Sequence, residues 1–265
     1  MAAEVENTEQ TVDIGQQVQN YIMHHVINAD YWSLPFVGKI HLPEFITLHG
    51  LMLIFASVFL ILIFGVFYRK KDPVPRGFTN LLEVLILFVR NDIAIPNLGE
   101  KDGKKLTPLL CSLFFFILML NLMGLIPLFA SATSNVSVTG ALALVTLSVM
   151  VGGAIQKNGV AGFLGAFVPS GVPWPVLIIL VPIEFLGIFI KAFALMIRLF
   201  ANMLAGHIVV FSIIGLVVMF GVAGLPSILL ALGINLLEVF VSFLQAFVFT
   251  LLSAMFINQI HHPAH

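Results

Sequence analysis

Between Val176 and Gly221 the chain runs for 46 residues of mostly apolar side chains without a convincing turn signal. Pro182 falls in the first turns and the later glycines are isolated, so the stretch reads as one helix. Such a helix would be about 70 Å long, more than twice the roughly 30 Å hydrocarbon core of a bilayer. It must be steeply tilted or broken. After "GVAGLP" a second overlong helix follows, residues 226–260, about 50 Å by the same rise. Two such neighbours joined by a tight turn predict a strongly tilted antiparallel hairpin, since ordinary mismatch is not tolerated over these lengths.

Composition extends the membrane reading to the whole chain. It is 60% hydrophobic and 9% charged, where a soluble domain carries about 25% charge, so most of its surface cannot face water. Its 265 residues, at about 20 per span, predict an all-α polytopic protein with about five crossing helices plus a surface helix. The expected organisation begins with a polar, acidic segment 1–46, with a short interfacial stretch at "QNYIMHHVINADYW". Spans follow at 47–68, 106–127 and 138–157. Segment 69–105 holds a surface helix 77–95, whose Glu83 and Arg90 share a face. Residues 128–137 form an external loop, 158–175 a Gly/Pro-rich loop, and 176–222 and 226–260 the long pair.

Charge gives the direction. Residues 1–48 hold six acids and the single base Lys39, whereas nine bases lie between Arg69 and Lys157. The positive-inside rule then places 69–76, 101–105 and Lys157 in the cytoplasm, the N-terminus outside and, after five crossings, the C-terminus in the cytoplasm. No basic region precedes an apolar core near Met1, so no cleavable signal is expected. There is no visible repeat, no phosphate-binding glycine loop and no Cys/His constellation. No cofactor, metal, nucleic acid or catalysis of its own is expected.

Within the long pair the ionisable residues before the terminal histidines are Glu184, Lys191, Arg198, His207 and Glu238. A charge at bilayer depth costs about 2.5 to 3.5 kcal/mol on insertion scales and marks an ion or substrate path by default. Glu184 and Lys191 read either as path residues or as side chains snorkelling to an interface; Arg198 lies too deep for the second reading. At 100° per residue Glu184, Lys191 and Arg198 fall within about 40° of one another. Gly187, Ala194, Ala201 and Ala205 share that side, a small, charged face on which other helices could pack. His207 points the opposite way. Folding the hairpin near residue 222 puts Arg198 level with Gln245 and His207 level with Glu238. Chance could produce that register, but a lone buried Glu238 would be costly, and a histidine offers it a hydrogen bond or a relayed proton.

The strings "KAFALMIRLFANMLAGHIVVF" and "LLEVFVSFLQAFVFTLLSAMF", with "NLMGLIP", "SNVSVT" and the upstream Glu184, are similar to the signature of subunit a of the F-type ATP synthases. The resemblance covers roughly residues 76–260. It implies a proton-conducting stator in a bacterial inner membrane, partnered by a rotating ring of c subunits and by the b-subunit stalk. Arg198 would be the coupling arginine, with Asn202 and Gln245 beside it and the ring against the Gly187/Ala194/Ala201/Ala205 face. Some members carry an acid and then a histidine where this chain has His207 and Glu238, so the pair is reversed with its chemistry retained. Gly124 stands where some relatives have Asp, and no acid lies near Asn135 and Ser137. Asn121, Asn135 and Ser137, with Lys191, are thus the candidate channel lining. A transporter for a small anionic solute and a noncatalytic scaffold are the alternatives; the first usually shows repeats, and the second does not need His207 and Glu238 at one level.

Overall fold

The computed structural model describes residues 31–34, 38–41, 43, 47–67, 77–126, 129–168 and 173–261. Nearly all are helical. The α-helices are α1 (Leu48–Leu62), α2 (Phe78–Phe88), α3 (Ile95–Gly124), α4 (Val136–Gly165), α5 (Trp174–Phe220) and α6 (Leu225–His261). Among the described residues five stretches are long and apolar enough to cross a membrane: Leu48–Val66, Phe78–Gly124, Val136–Gly165, Trp174–Val217 and Leu225–Ile260. The chain is therefore an all-α polytopic membrane protein.

One small departure lies in the N-terminal segment, where β1 (Tyr31–Leu34) and β2 (Gly38–His41) pair antiparallel with Tyr31 opposite His41. Trp32 anchors this ladder, its ring 5.9 Å from that of Phe55 and 6.3 Å from that of Phe129. The interfacial helix expected around residues 19–32 lies outside the described residues except for Tyr31 and Trp32, which β1 takes. The basic stretch 69–76 also lies outside them.

Glycine sets the breaks in two of the helices. Gly99 has φ 78° and ψ 170°, a positive-φ conformation that costs glycine little, and the helix kinks there. The close approach of the two arms requires a second glycine, because a Cβ on Gly103 would stand 2.9 Å from the Ala94 carbonyl oxygen. The following helix thus begins at "EKDGKKL", before the expected start at 106, and Glu100 and Lys104 pair at 2.6 Å across its first turn. Gly159, with φ 72°, bends α4 in the same way, so the expected loop 158–175 opens with a short helical stretch. Wide π turns extend α1 through Ile63–Phe67 and join α2 to α3 through Val89–Ala94.

The chain divides into two compact units. The first comprises the described residues within Met1–Ser57, Leu118–Asn135 and Phe200–Leu244. Its buried apolar residues include Met52, Ala56, Leu120, Met123, Met203 and Phe211. Here α5 and α6 form a tight hairpin: Gly221 takes φ 55°, and a Cβ on Gly224 would lie 2.8 Å from the Val217 Cα. The second unit comprises the described residues within Val58–Ile117, Val136–Leu199 and Gln245–His265. Phe88, Phe114 and Phe247 knit it together, Phe88 lying 6.4 Å from Phe114 and 5.6 Å from Phe247. A buried Thr146–Ser253 hydroxyl contact of 3.3 Å ties α4 to α6.

Burial differs sharply among the spans. In their most apolar stretches α5 and α6 bury only 11% and 6% of residues inside the chain, against 44% for Phe78–Gly124 and 39% for α4. The long pair leaves its apolar flanks for lipid or other chains, as a membrane solvent permits.

Candidate functional site

In the first unit, α5 and α6 bring His207 and Glu238 together, in the register that the sequence implied. Both line a cavity of about 410 Å³ with Gly124, Phe211 and Asn235. Glu238 also lines a second cavity, of about 320 Å³, with Asn202, Ala205 and Gly206. One carboxylate therefore faces two chambers, one holding a histidine and the other an asparagine. The imidazole of His207 is buried and stacks on Phe211, centroids 5.8 Å apart at 19°.

The closeness of the two helices at this level depends on Gly206. A Cβ there would fall 2.2 Å from Glu238 Oε1, so the carboxylate occupies the space that any other residue's side chain would claim. Glu238 Oε1 is itself buried and takes no hydrogen bond among the described residues.

A group of buried polar side chains belongs to the same unit. Asn121 is fully buried and donates from Nδ2 to the Ser242 carbonyl oxygen at 3.4 Å. Its Oδ1 and the hydroxyls of Ser131, Thr133 and Ser242 are buried without a hydrogen-bond partner among the described residues. Buried polar atoms of this kind are few in native proteins, and they are satisfied by water where the chain supplies nothing. A Cβ on Gly124 would stand 3.0 Å from Ser131 Oγ, so the serine hydroxyl fills the space beside the position where some relatives carry an acid. Asn135 is half-buried and Ser137 exposed.

The second unit holds Arg198, Gln245, Lys191 and Glu184. Arg198 is exposed and makes no ion pair or hydrogen bond among the described residues. Its helical neighbours Ala194 and Ala201 are exposed as well, and Gly187 has open space where a side chain would be. Gln245 is buried, with its Nε2 unpartnered among the described residues. No hydrogen bond joins Arg198 to Gln245 among the described residues. Lys191 is held on α6 instead, donating to Gln259 Oε1 at 2.6 Å with its ammonium 5.7 Å above the Phe256 ring. Glu184 is exposed on α5.

Sequence reasoning missed Ser131, Thr133, Gly206, Asn235 and Ser242. For Ser242 a signal existed: 238, 242 and 245 are spaced by four and three, which puts them on one face of α6. Ser131 and Thr133 sit in a string that reads only as a polar turn, and nothing local marks Gly206 as the seat of a carboxylate from another helix.

The sequence model described as "ATP synthase A chain" matches residues 50–258. The chain is 50% identical over 223 residues to a protein of Anaeromyxobacter dehalogenans strain 2CP-1 named ATP synthase subunit a, covering 82% of this chain and 58% of the relative. Its counterpart in strain 2CP-C is 48% identical over 237 residues, 87% of this chain and 61% of the relative. A Chloroherpeton thalassium protein of the same name is 43% identical over 259 residues, 92% of this chain and 77% of the relative. The chain thus spans about three-fifths of the length of the Anaeromyxobacter relatives it matches.

Proposed function

The chain belongs to the ATP synthase A chain family, and on that footing we propose that it is the noncatalytic stator through which protons cross a bacterial inner membrane to turn a ring of c subunits. The observation that carries this reading is Arg198, an exposed guanidinium without a counter-charge among the described residues, on a helix whose most apolar stretch is only 11% buried. An arginine stays charged at any working pH and is costly in hydrocarbon unless paired. A carboxylate on another chain, brought against the Gly187/Ala194/Ala201/Ala205 face, would supply the pair.

Two proton paths follow from the placement of the other groups. On the first, a proton enters past Asn121, Asn135 and Ser137, along the unsatisfied hydroxyls of Ser131, Thr133 and Ser242, and is handed between His207 and Glu238. Both can hold a proton, and each can donate to the other when protonated. From Glu238 it reaches the chamber of Asn202 and neutralises the ring carboxylate, which can then enter lipid. After the ring has turned, the carboxylate meets Arg198, which favours its ionised form, and the proton leaves past Lys191 and Glu184. Gln245 contributes an amide to the wall beside the arginine. A proton hopping directly between the paths would have to pass a fixed positive charge in a low-dielectric setting, so rotation becomes obligatory. The N-terminus lies outside, the C-terminus in the cytoplasm, and the b-subunit stalk holds the chain still.

The test is ATP-driven acidification of inverted vesicles carrying the assembled complex. Arg198→Ala is expected to abolish it; acidification at the wild-type rate with the variant would remove the role.

A further inference from the structure

The second unit contains a larger cavity, of about 870 Å³, that the proton paths do not use. It lies between the stretch 98–106 and the face of α4 that carries Ser148, Gly152, Gln156 and Lys157. Its two ends differ. Along α4 the lining runs from Lys157 at the ionic end to Val149 and Ser148, about 13 Å away at the helical rise; the stretch 98–106 adds the charged Glu100, Lys101, Asp102 and Lys105 and the apolar Leu98 and Leu106. Ser148 turns its hydroxyl back to the Leu144 carbonyl at 2.7 Å, so it adds little polarity.

Charge at the ionic end does not cancel. Lys157 Nζ pairs with Asp102 Oδ2 at 2.5 Å, and Lys104 Nζ pairs with Glu100 Oε1 at 2.6 Å. Lys101 and Lys105 remain, both exposed and without an ion pair among the described residues. Gly152 leaves the apolar part of the cleft open, with nothing within 4 Å of where its Cβ would be.

We propose that this cleft binds an anionic phospholipid, its phosphate between Lys101 and Lys105 and an acyl chain along Gly152, Val149 and Leu106. Free phosphate would match the lysines equally well but would leave the apolar length of the cleft unexplained. The lysine-bearing ends of spans face the cytoplasm, the side on which anionic headgroups attract basic clusters. The Lys157–Asp102 pair fixes the two walls of the cleft together without consuming the surplus charge.

The test uses the full chain in its assembled complex, reconstituted into vesicles doped with phosphatidylglycerol that carries a photoreactive acyl chain, with adducts mapped by peptide mass spectrometry. Wild type is expected to be labelled within 98–106 and 148–157, and the matching phosphatidylcholine probe to label neither. Lys101→Gln/Lys105→Gln should reduce labelling about thirtyfold, at roughly fivefold per lysine. Gly152→Phe, which keeps both charges, should also reduce it by filling the apolar part. Equal labelling by phosphatidylcholine, or labelling indifferent to both variants, overturns the proposal. Loss of the adduct when millimolar inorganic phosphate is added would show a free-phosphate site and overturn the lipid assignment.

Discussion

Glu238 and Arg198 are both ionisable groups on long apolar helices, yet the chain treats them oppositely. Glu238 is half-buried: its carboxylate lies against Gly206 with Oε1 buried, and the residue lines two cavities, one of them shared with His207. Arg198 is left uncovered among exposed alanines. A half-buried carboxylate beside two cavities, with a buried oxygen left unpartnered among the described residues, suits a group that exchanges protons with water, because neither protonation state is locked by a fixed partner. Exposure of a permanent charge on a membrane helix suits a group whose partner arrives from outside the chain and leaves again. A buried structural ion pair would show the reverse, with both charges internal and mutually satisfied.

If Glu238 acts by carrying protons, removing its carboxyl should have the larger effect on transport and the smaller on assembly. Glu238→Leu is expected to lower ATP-driven acidification about a hundredfold, the scale of a positioned proton-transfer group. The double exchange His207→Glu/Glu238→His should recover a substantial part, as both orders occur in the family that the chain resembles; equal loss in the exchange and in Glu238→Leu would break the idea of a mutual pair. Gly206→Ala sharpens the same point. The added methyl displaces the carboxylate, so transport should fall about tenfold, within the cost of an ångström-scale misplacement. Stability should change little, because the obstructed atom ends a flexible side chain. Shortening that side chain with Glu238→Asp in the same molecule should restore transport; no rescue would mean that Gly206 matters for packing alone.

The smallest effect is expected at Lys191. Its ammonium is already engaged by Gln259 and Phe256, so Lys191→Met should cost about 1 kcal/mol or less of stability and leave acidification within about threefold. A loss as deep as that of Glu238→Leu would move Lys191 from the wall of the exit path to its centre.

The architecture was legible from periodicity and length, and the His207–Glu238 register from the fold of the hairpin, since two helices joined by a short turn leave little freedom in which residues near that turn meet. The breaks at Gly99 and Gly159 were harder to place, because an isolated glycine is compatible with either a continued helix or a kink, and the choice depends on contacts such as that of Gly103 with Ala94. Ser131, Thr133 and Gly206 were illegible for a related reason. A hydroxyl in a polar turn announces neither burial nor the lack of a partner, and the value of a missing side chain is set by the atom that fills its place. The N-terminal ladder escaped notice because its residues follow an acidic, mixed stretch without clear alternation.

The central claim is that protons cross only by riding on a partner that must pass Arg198. Passive proton flux is its most direct measure, read in vesicles stripped of the soluble catalytic sector under an imposed potassium diffusion potential, for wild type and Arg198→Ala at equal complex content. Flux in the variant is expected to persist or rise while ATP-driven pumping in the unstripped vesicles is lost. Pumping that survives at the wild-type rate, with passive flux unchanged, would contradict it.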